Sequence, residues 1–460
     1  VGYLKLENKK VLVVGLGRSG IAAAQILRSR NALVTVCDHK AADETGIDIE
    51  SMQRAGIEIY TGDYPKVSRH NYDLLIASPG IALNIQPFQE AFAQGIPVIG
   101  ELELAYRLKK EQTELLAITG TNGKTTTTAL LQEILARGGK RAFTAGNIGI
   151  ALATLVDEVE DAVIAVEVSS FQLETAVDFR PHICGILNIT PDHLDRHQSM
   201  RAYVEAKAKI FQKQRPEDYA VFNYEDPILR ELGPSCPARL FYFSAEQPLS
   251  EGAFVEDNHV TIMVENKKVR ICPLNRIKLR GKHNLENVLC AAMMAYLGGI
   301  AAPAIAEVLS SFKGVRHRLE EVDCQNNILY INDSKATNPE SAIKALESFD
   351  NPIILIAGGR NKGSSFDQLA ELIKSKVKEL ILLGEAKEEI KQAVMDVNYK
   401  NIHEVGSFPE AVRMAYNLAK PGDVVLLSPA CASWDMFPSY EHRGDLFCQL
   451  VKSLSGKALE

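Results

Sequence analysis

The stretch Gly120-Thr121-Asn122-Gly123-Lys124-Thr125-Thr126 follows the apolar run "LLAIT" and precedes a helix-spaced segment. Two glycines let a backbone approach an anion closely, and the N–H groups opening a helix bind phosphate oxygens. Lys124 adds a point charge for the outer phosphates, and Thr125 offers a hydroxyl to Mg²⁺. The usual phosphate-loop spacing would put a first glycine at position 118, where Ile118 stands instead. The stretch therefore reads as a variant phosphate loop. An ordinary strand-to-helix turn is the plainer alternative.

Phosphate chemistry with Mg²⁺ needs acidic partners. Glu167 closes the apolar run "AVIAVE", where a carboxylate is costly unless a cation or strong donors meet it. Asp192, His193 and Asp195 follow the run "ICGILNIT", at the strand end where parallel sheets bind ligands. A second glycine turn, Gly15 to Gly20, has the spacing G-x-G-x-x-G, with Asp38 ending the next apolar run. That turn suits a dinucleotide and many other phosphorylated ligands. Beside a second phosphate loop it reads as a diphosphate cradle, with NAD(P)-dependent hydride transfer as the alternative.

These residues need strands to deliver them and helices to receive them. Val11–Val14, Leu33–Cys37, "YDLLIAS" and "IPVIG" alternate with helix-spaced segments, as expected of a parallel sheet covered by helices. "LLAITGT", "DAVIAVEVSS" and "ICGILNIT" continue the pattern. "DYAVFNYED", "ARLFYFS" and "HVTIMVE" read as shorter, antiparallel strands. A third alternating set holds "NILYIND", "PIILIAGG", "ELILLG" and "DVVLLSPA". The expectation is an α/β protein of three domains. Residues 1–99 form a Rossmann-like domain, 100–313 a central P-loop-type ATPase domain with a mainly parallel sheet, and 314–460 a Rossmann-like C-terminal domain.

The 460 residues are 46% apolar and 24% charged, with a formal charge of −7. No global basic field is available for nucleic acid. No apolar run approaches the roughly 18 residues that would span a membrane. The eight cysteines show no C-x-x-C pair, which suggests reduced thiols and a cytoplasmic protein.

"GTNGKTTTT", "EVSSFQLE", "NITPDHLDRH", "GKHNLENVLCA", "GVRHRLE", "INDSKATNP" and "SPACASWDMF" occur in this order along nearly the whole chain. In these motifs the sequence resembles the Mur ligase family. A phosphate loop without its leading glycine is normal there. Folylpolyglutamate synthases share part of the signature. "DSKATNP" paired with "SPACAS" behind a glycine-turn domain favours the Mur ligases that add D-glutamate to UDP-N-acetylmuramoyl-L-alanine.

The resemblance implies an ATP-dependent amide ligase of peptidoglycan precursor synthesis, acting through an acyl phosphate and a tetrahedral intermediate. Its partners would be three small molecules, with neither nucleic acid nor membrane insertion, and the protein would be a monomer. Lys124 would neutralise the transferring phosphate. Thr125 and Glu167 would hold a first Mg²⁺. His193 and Lys207 would hold a second, with Lys207 carbamylated; read from the residues alone, Lys207 is a solvated helix lysine. Asn147, Asn284 and Asn287 would line the adenine and ribose, with Arg318 and Asp333 closing over the nucleotide. His317 and Lys335 would align the acyl phosphate and the incoming amino acid. Thr337, Lys362, Ser433 and Tyr440, with Lys335, would recognise D-glutamate. Gly17, Arg18, Ser19, Asp38 and the turn Ser78-Pro79-Gly80 would hold the uridine diphosphate, with Asn147 and Ser169 nearby. Without the resemblance, "SPACAS" could be a packing stretch and Asp333 with Lys335 an exposed ion pair.

Overall fold

The computed structural model describes residues 5–42, 47–147, 149–361 and 363–454. The described residues build three sheets, and the chain forms two compact units. Residues 1–277 with 286–310 make one unit, and residues 278–285 with 311–460 make the other.

The first unit holds two sheets. One has five strands, in the spatial order Glu58–Thr61, Leu33–Asp38, Lys10–Val14, Leu74–Ala77 and Val98–Gly100. All neighbours are parallel. Val11 to Val14 are wholly buried, as a strand covered by helices on both faces requires. The order reverses beside Lys10–Val14, so the glycine turn leaves the sheet at its switch point.

The second sheet has nine strands. Ala142–Gly146, Val163–Glu167, Glu114–Thr119, Ile183–Ile186, Tyr219–Asn223, Arg239–Ser244 and Gly252–Glu256 lie side by side and parallel. His259–Val264 and Lys267–Pro273 then add antiparallel. The expectation of short antiparallel strands therefore holds for "HVTIMVE" and fails for "DYAVFNYED" and "ARLFYFS". Helix Pro227–Leu232 supplies the crossover that parallel neighbours need.

Helix Glu101–Leu108 joins the two sheets. The carboxylate of Glu103 is fully buried and accepts from the amides of Val177, Asp178 and Phe179. It also pairs with Arg107 at 2.6 Å. Glu101 accepts from Ala153 N at 2.6 Å, while its other oxygen is buried without a partner.

The second unit holds six strands, ordered Glu320–Gln325, Ile328–Asn332, Val424–Leu427, Ile353–Gly358, Val377–Leu383 and Ile402–Glu404. The first pair is antiparallel and the rest parallel. Asn338 caps helix Pro339–Glu347 by accepting from Ser341 N, with Pro339 in the first turn. That helix start leaves Asp333 to Thr337 in the loop after strand Ile328–Asn332, at the sheet's C-terminal edge.

Candidate active site

Strand Glu114–Thr119 delivers the phosphate loop, and helix Lys124–Arg137 receives it. Gly123 has φ +86°, and a Cβ there would lie 2.2 Å from Asn287 Oδ1. Only glycine meets both demands. The loop is laced to the end of strand Ile183–Ile186. Asn122 N donates to Asn188 Oδ1 at 2.8 Å, and Thr121 N donates to Asn188 O at 2.9 Å. Thr121 Oγ1 also lies 3.2 Å from Tyr203 Oη. Asn188 and Tyr203 escaped the sequence reading; the "NIT" of the strand-end motif was the available signal for the first.

Lys124 Nζ donates to the carbonyls of Gly120 and Thr121, both at 2.9 Å. Lys207, on helix Met200–Gln212, reaches the Gly120 carbonyl as well, at 2.8 Å. It is 1% exposed, and its ammonium stands 4.7 Å from the Tyr203 ring centre. Lys207 is thus a buried loop partner, unlike the solvated helix lysine that its residue type alone suggests. Burial, with the charge of Lys124 behind it, holds Lys207 well below the usual lysine range.

Thr125, Thr126 and Glu167 are buried in the same region. Glu167 Oε1 accepts from Asn147 Nδ2 at 2.8 Å, while Oε2 is buried with no hydrogen-bond partner. An orphaned carboxylate oxygen is expensive, and a cation would satisfy it. Among the described residues, no three His, Cys, Asp or Glu side chains gather as a metal cluster. The donors here are instead one carboxylate, a hydroxyl and phosphate-loop space. That set fits Mg²⁺, which commonly takes one or two carboxylates and completes its shell with phosphate and water.

His193 has φ 53°, and its ring packs tilted against Phe171, with centroids 4.8 Å apart. Its Nε2 lies 3.4 Å from Asp192 Oδ2.

The glycine turn opens on a cavity of about 390 Å³. Gly17, Arg18, Ser19, Asp38, Ser78, Pro79, Gly80 and Asn147 all line it. Ser169 is outside this lining; it caps helix Ser170–Glu174 in a capping box with Gln172, which does line the cavity. Asp38 accepts from Leu16 N at 2.8 Å and Lys40 N at 3.1 Å, so its carboxylate orders the turn. Arg18 donates to Gly149 O at 3.0 Å. Asn147 joins this cavity to Glu167.

Asn287 is buried at Gly123. Asn284 donates to Arg280 O at 2.7 Å.

In the second unit, the loops after three strands converge on Arg443. This arginine is 1% exposed and donates to Ser334 Oγ, Ser334 O and Cys431 O. Gly359, at φ +134°, would carry a Cβ only 2.2 Å from Ala432 O. Asp333 is buried, accepting from Ser428 Oγ at 2.8 Å and Leu319 N at 3.2 Å, so the exposed ion pair is excluded. Burial pushes its carboxyl up to about 7, against the pull of Ser428 and Arg318. Arg318 keeps a buried Nε without a partner.

Lys335 sits over the Tyr440 ring at 5.3 Å. Ser433 is buried, and Thr337 is half-buried at the helix entrance. Lys362 lies outside the described residues. His317 is buried as well. Its ring is buried between Asn332, at 3.0 Å, and Gly444, whose added Cβ would lie 2.2 Å from Nδ1. Its carbonyl accepts from Lys335 N at 3.0 Å. The His317 backbone is thereby tied to the Lys335 loop.

Three family matches cover most of the chain. They are "Mur ligase MurD-like, N-terminal domain" at residues 9–100, "Mur ligase middle domain" at 118–295 and "Mur ligase, glutamate ligase domain" at 317–431. The UDP-N-acetylmuramoylalanine--D-glutamate ligase of Pelotomaculum thermopropionicum is 46% identical, over 97% of this chain and 98% of its own. The enzyme of that name from Clostridioides difficile is 42% identical, over 98% of this chain and 100% of its own. Among solved structures, UDP-N-acetylmuramate-alanine ligase MurC from Thermotoga maritima superposes with a TM-score of 0.58 at 21% identity, over 97% of this chain and 100% of that one. MurF ligase from the same organism, in complex with ADP, gives 0.61 at 16% identity, over 91% and 95%. At those identities the structures attest the three-domain fold.

Proposed function

The chain belongs to the Mur ligase family, and on that premise we propose how its residues carry out ATP-dependent addition of D-glutamate to UDP-N-acetylmuramoyl-L-alanine. The observation that carries the reading is the phosphate loop with Lys124 and Lys207 on one carbonyl and the orphaned Glu167 oxygen in the same region. The oxidoreductase and folylpolyglutamate alternatives have no counterpart among the named relatives.

A carboxylate resists attack by an amine because oxide is a poor leaving group. Transfer of the γ-phosphoryl group from ATP gives an acyl phosphate, whose phosphate leaves readily. The D-glutamate amine then attacks, and the tetrahedral intermediate collapses to the amide. Positioning and charge neutralisation do most of this work. Lys124 meets the transferring phosphoryl oxygens as they leave ADP. Thr125 and Glu167 would hold one Mg²⁺, and His193 with a carbamylated Lys207 a second. Bound there, Mg²⁺ would neutralise phosphate charge as a Lewis acid. The glycine-turn cavity, with Arg18, Asp38 and the Ser78 turn, orients the uridine diphosphate. Asn147 links that cavity to Glu167. Asn284, Asn287, Arg318 and Asp333 take the nucleoside. Lys335, Thr337, Lys362, Ser433 and Tyr440 take D-glutamate.

The domain limits proposed are 1–99, 100–313 and 314–460. A cytoplasmic monomer suits this chemistry, because ATP and UDP-linked precursors are cytoplasmic. Among the described residues, no helix is long and apolar enough to cross a membrane.

The test is phosphate release with ATP, Mg²⁺, UDP-N-acetylmuramoyl-L-alanine and D-glutamate, omitting each in turn. Release should need all four. Full release with L-glutamate and a folate in place of the two substrates would reject the assignment.

A further inference from the structure

The segment carrying His193 ends in Arg196 and His197, and both grip Glu174. Arg196 Nη2 donates to Glu174 Oε2 at 2.7 Å, and His197 Nδ1 lies 3.3 Å from Oε1. His197 Nε2 meets Ser170 Oγ at 3.0 Å. The Arg196 guanidinium also stacks on Phe171 at 4.3 Å, the ring that His193 packs against. Helix Ser170–Glu174 follows strand Val163–Glu167 after two residues, so Glu167 and His193 rest on one support.

The same guanidinium reaches into the five-stranded domain. Nη1 donates to Pro79 O at 2.9 Å, and Nη2 to Ile81 O at 3.0 Å, 117 and 115 residues away. These carbonyls flank Gly80 in the turn that lines the glycine-turn cavity. A planar fork can hold three such acceptors in fixed directions, which a lysine ammonium on a flexible stem cannot.

We propose that Arg196 is a positioning residue that couples occupancy of the uridine diphosphate cavity to the placement of His193. Substrate settling against the Ser78–Gly80 turn fixes the carbonyls of Pro79 and Ile81. Arg196 carries that constraint to Phe171 and Glu174, and so to the segment that presents His193. Binding in the cavity and binding of Mg²⁺ with nucleotide are then linked, each tightening the other by one factor. The proposal rests on the reading of His193 as a metal-site residue.

Calorimetry tests it on the whole chain. The dissociation constant of UDP-N-acetylmuramoyl-L-alanine is measured with and without Mg²⁺ and a non-hydrolysable ATP analogue. The ratio should be about fivefold or more in the native protein. In R196A it should fall to within about twofold of unity, with each ligand alone bound within about threefold of native. R196K and E174Q keep a side chain of similar size and carry the measurement if R196A does not fold; both should lower the ratio. A ratio of one in the native protein, or a native ratio kept in the variants, overturns the proposal. So does a general weakening of both ligands with the ratio intact, which a merely structural arginine would give. H193A separates the two readings: normal turnover in H193A removes the role of His193, whereas the Arg196 coupling is read from binding alone.

Discussion

Lys124 and Lys207 end on one acceptor, the carbonyl oxygen of Gly120, at 2.9 and 2.8 Å. Two ammonium groups so close repel, and the buried one yields its proton more easily. Burial and Lys124 both press Lys207 in that direction, against the weaker opposing pull of Asp192. A neutral amine can take up carbon dioxide, and the resulting carbamate is an anionic oxygen ligand. Labelled bicarbonate should therefore give a carbamate ¹³C signal that K207A lacks. K207A should lose at least about a hundredfold in kcat, in line with loss of a metal-site group. A short carboxylic acid should restore part of it. An absent signal in active native protein would argue against the modification.

Glu167 supplies the second test. Its Oε2 is buried and unpartnered, while Asn147 holds Oε1. E167Q keeps the shape and the Asn147 contact but removes the charge. The Mg²⁺ concentration for half-maximal turnover should rise by about tenfold or more. Circular dichroism should show an unchanged fold. An unaltered Mg²⁺ requirement would take Glu167 out of the metal site.

Glu101 predicts a pH dependence of stability. Burial pushes its carboxyl up to about 7 from an ordinary 4.5, against the pull of the Ala153 amide. The folded chain thus holds a proton that the unfolded chain has released between those values. Stability contributed here is greatest below the unfolded value and falls as pH rises to about 7. The loss is roughly 1–3 kcal/mol. Urea unfolding of native protein and E101Q at pH 5 and 8 reads it: the native protein should lose more stability over that interval. Equal losses would show that Glu101 does not titrate there.

His317 gives the fourth. Its ring is buried beside Asn332 and Gly444, and burial lowers its basicity despite Glu320 and Asp445. The neutral ring costs nothing above the ordinary histidine range, and stability falls as pH drops below it. H317A should raise the KM for D-glutamate, through the Lys335 loop, more than it weakens an ATP analogue in a direct binding assay. G444A, whose methyl would meet the same ring, should shift both in the same proportions. A selective effect on nucleotide binding would place His317 elsewhere.

The strand, glycine loop and helix around Lys124 were legible in the chain because local periodicity and backbone conformation specify them. The same holds for the Gly15–Gly20 turn and its Asp38, whose spacing is set within one strand-helix-strand unit. Parallel against antiparallel pairing was not legible for "ARLFYFS", because its composition suits either and its crossover sets the direction. Lys207 looks like any helix lysine until folding brings it to Gly120, 87 residues away. Arg196 likewise gains its meaning from carbonyls 115 and 117 residues distant. Residue type and short spacing determine which chemistry is on offer. Burial and long-range contact set charge state and alignment, since desolvation and hydrogen-bond direction arise only when distant segments pack.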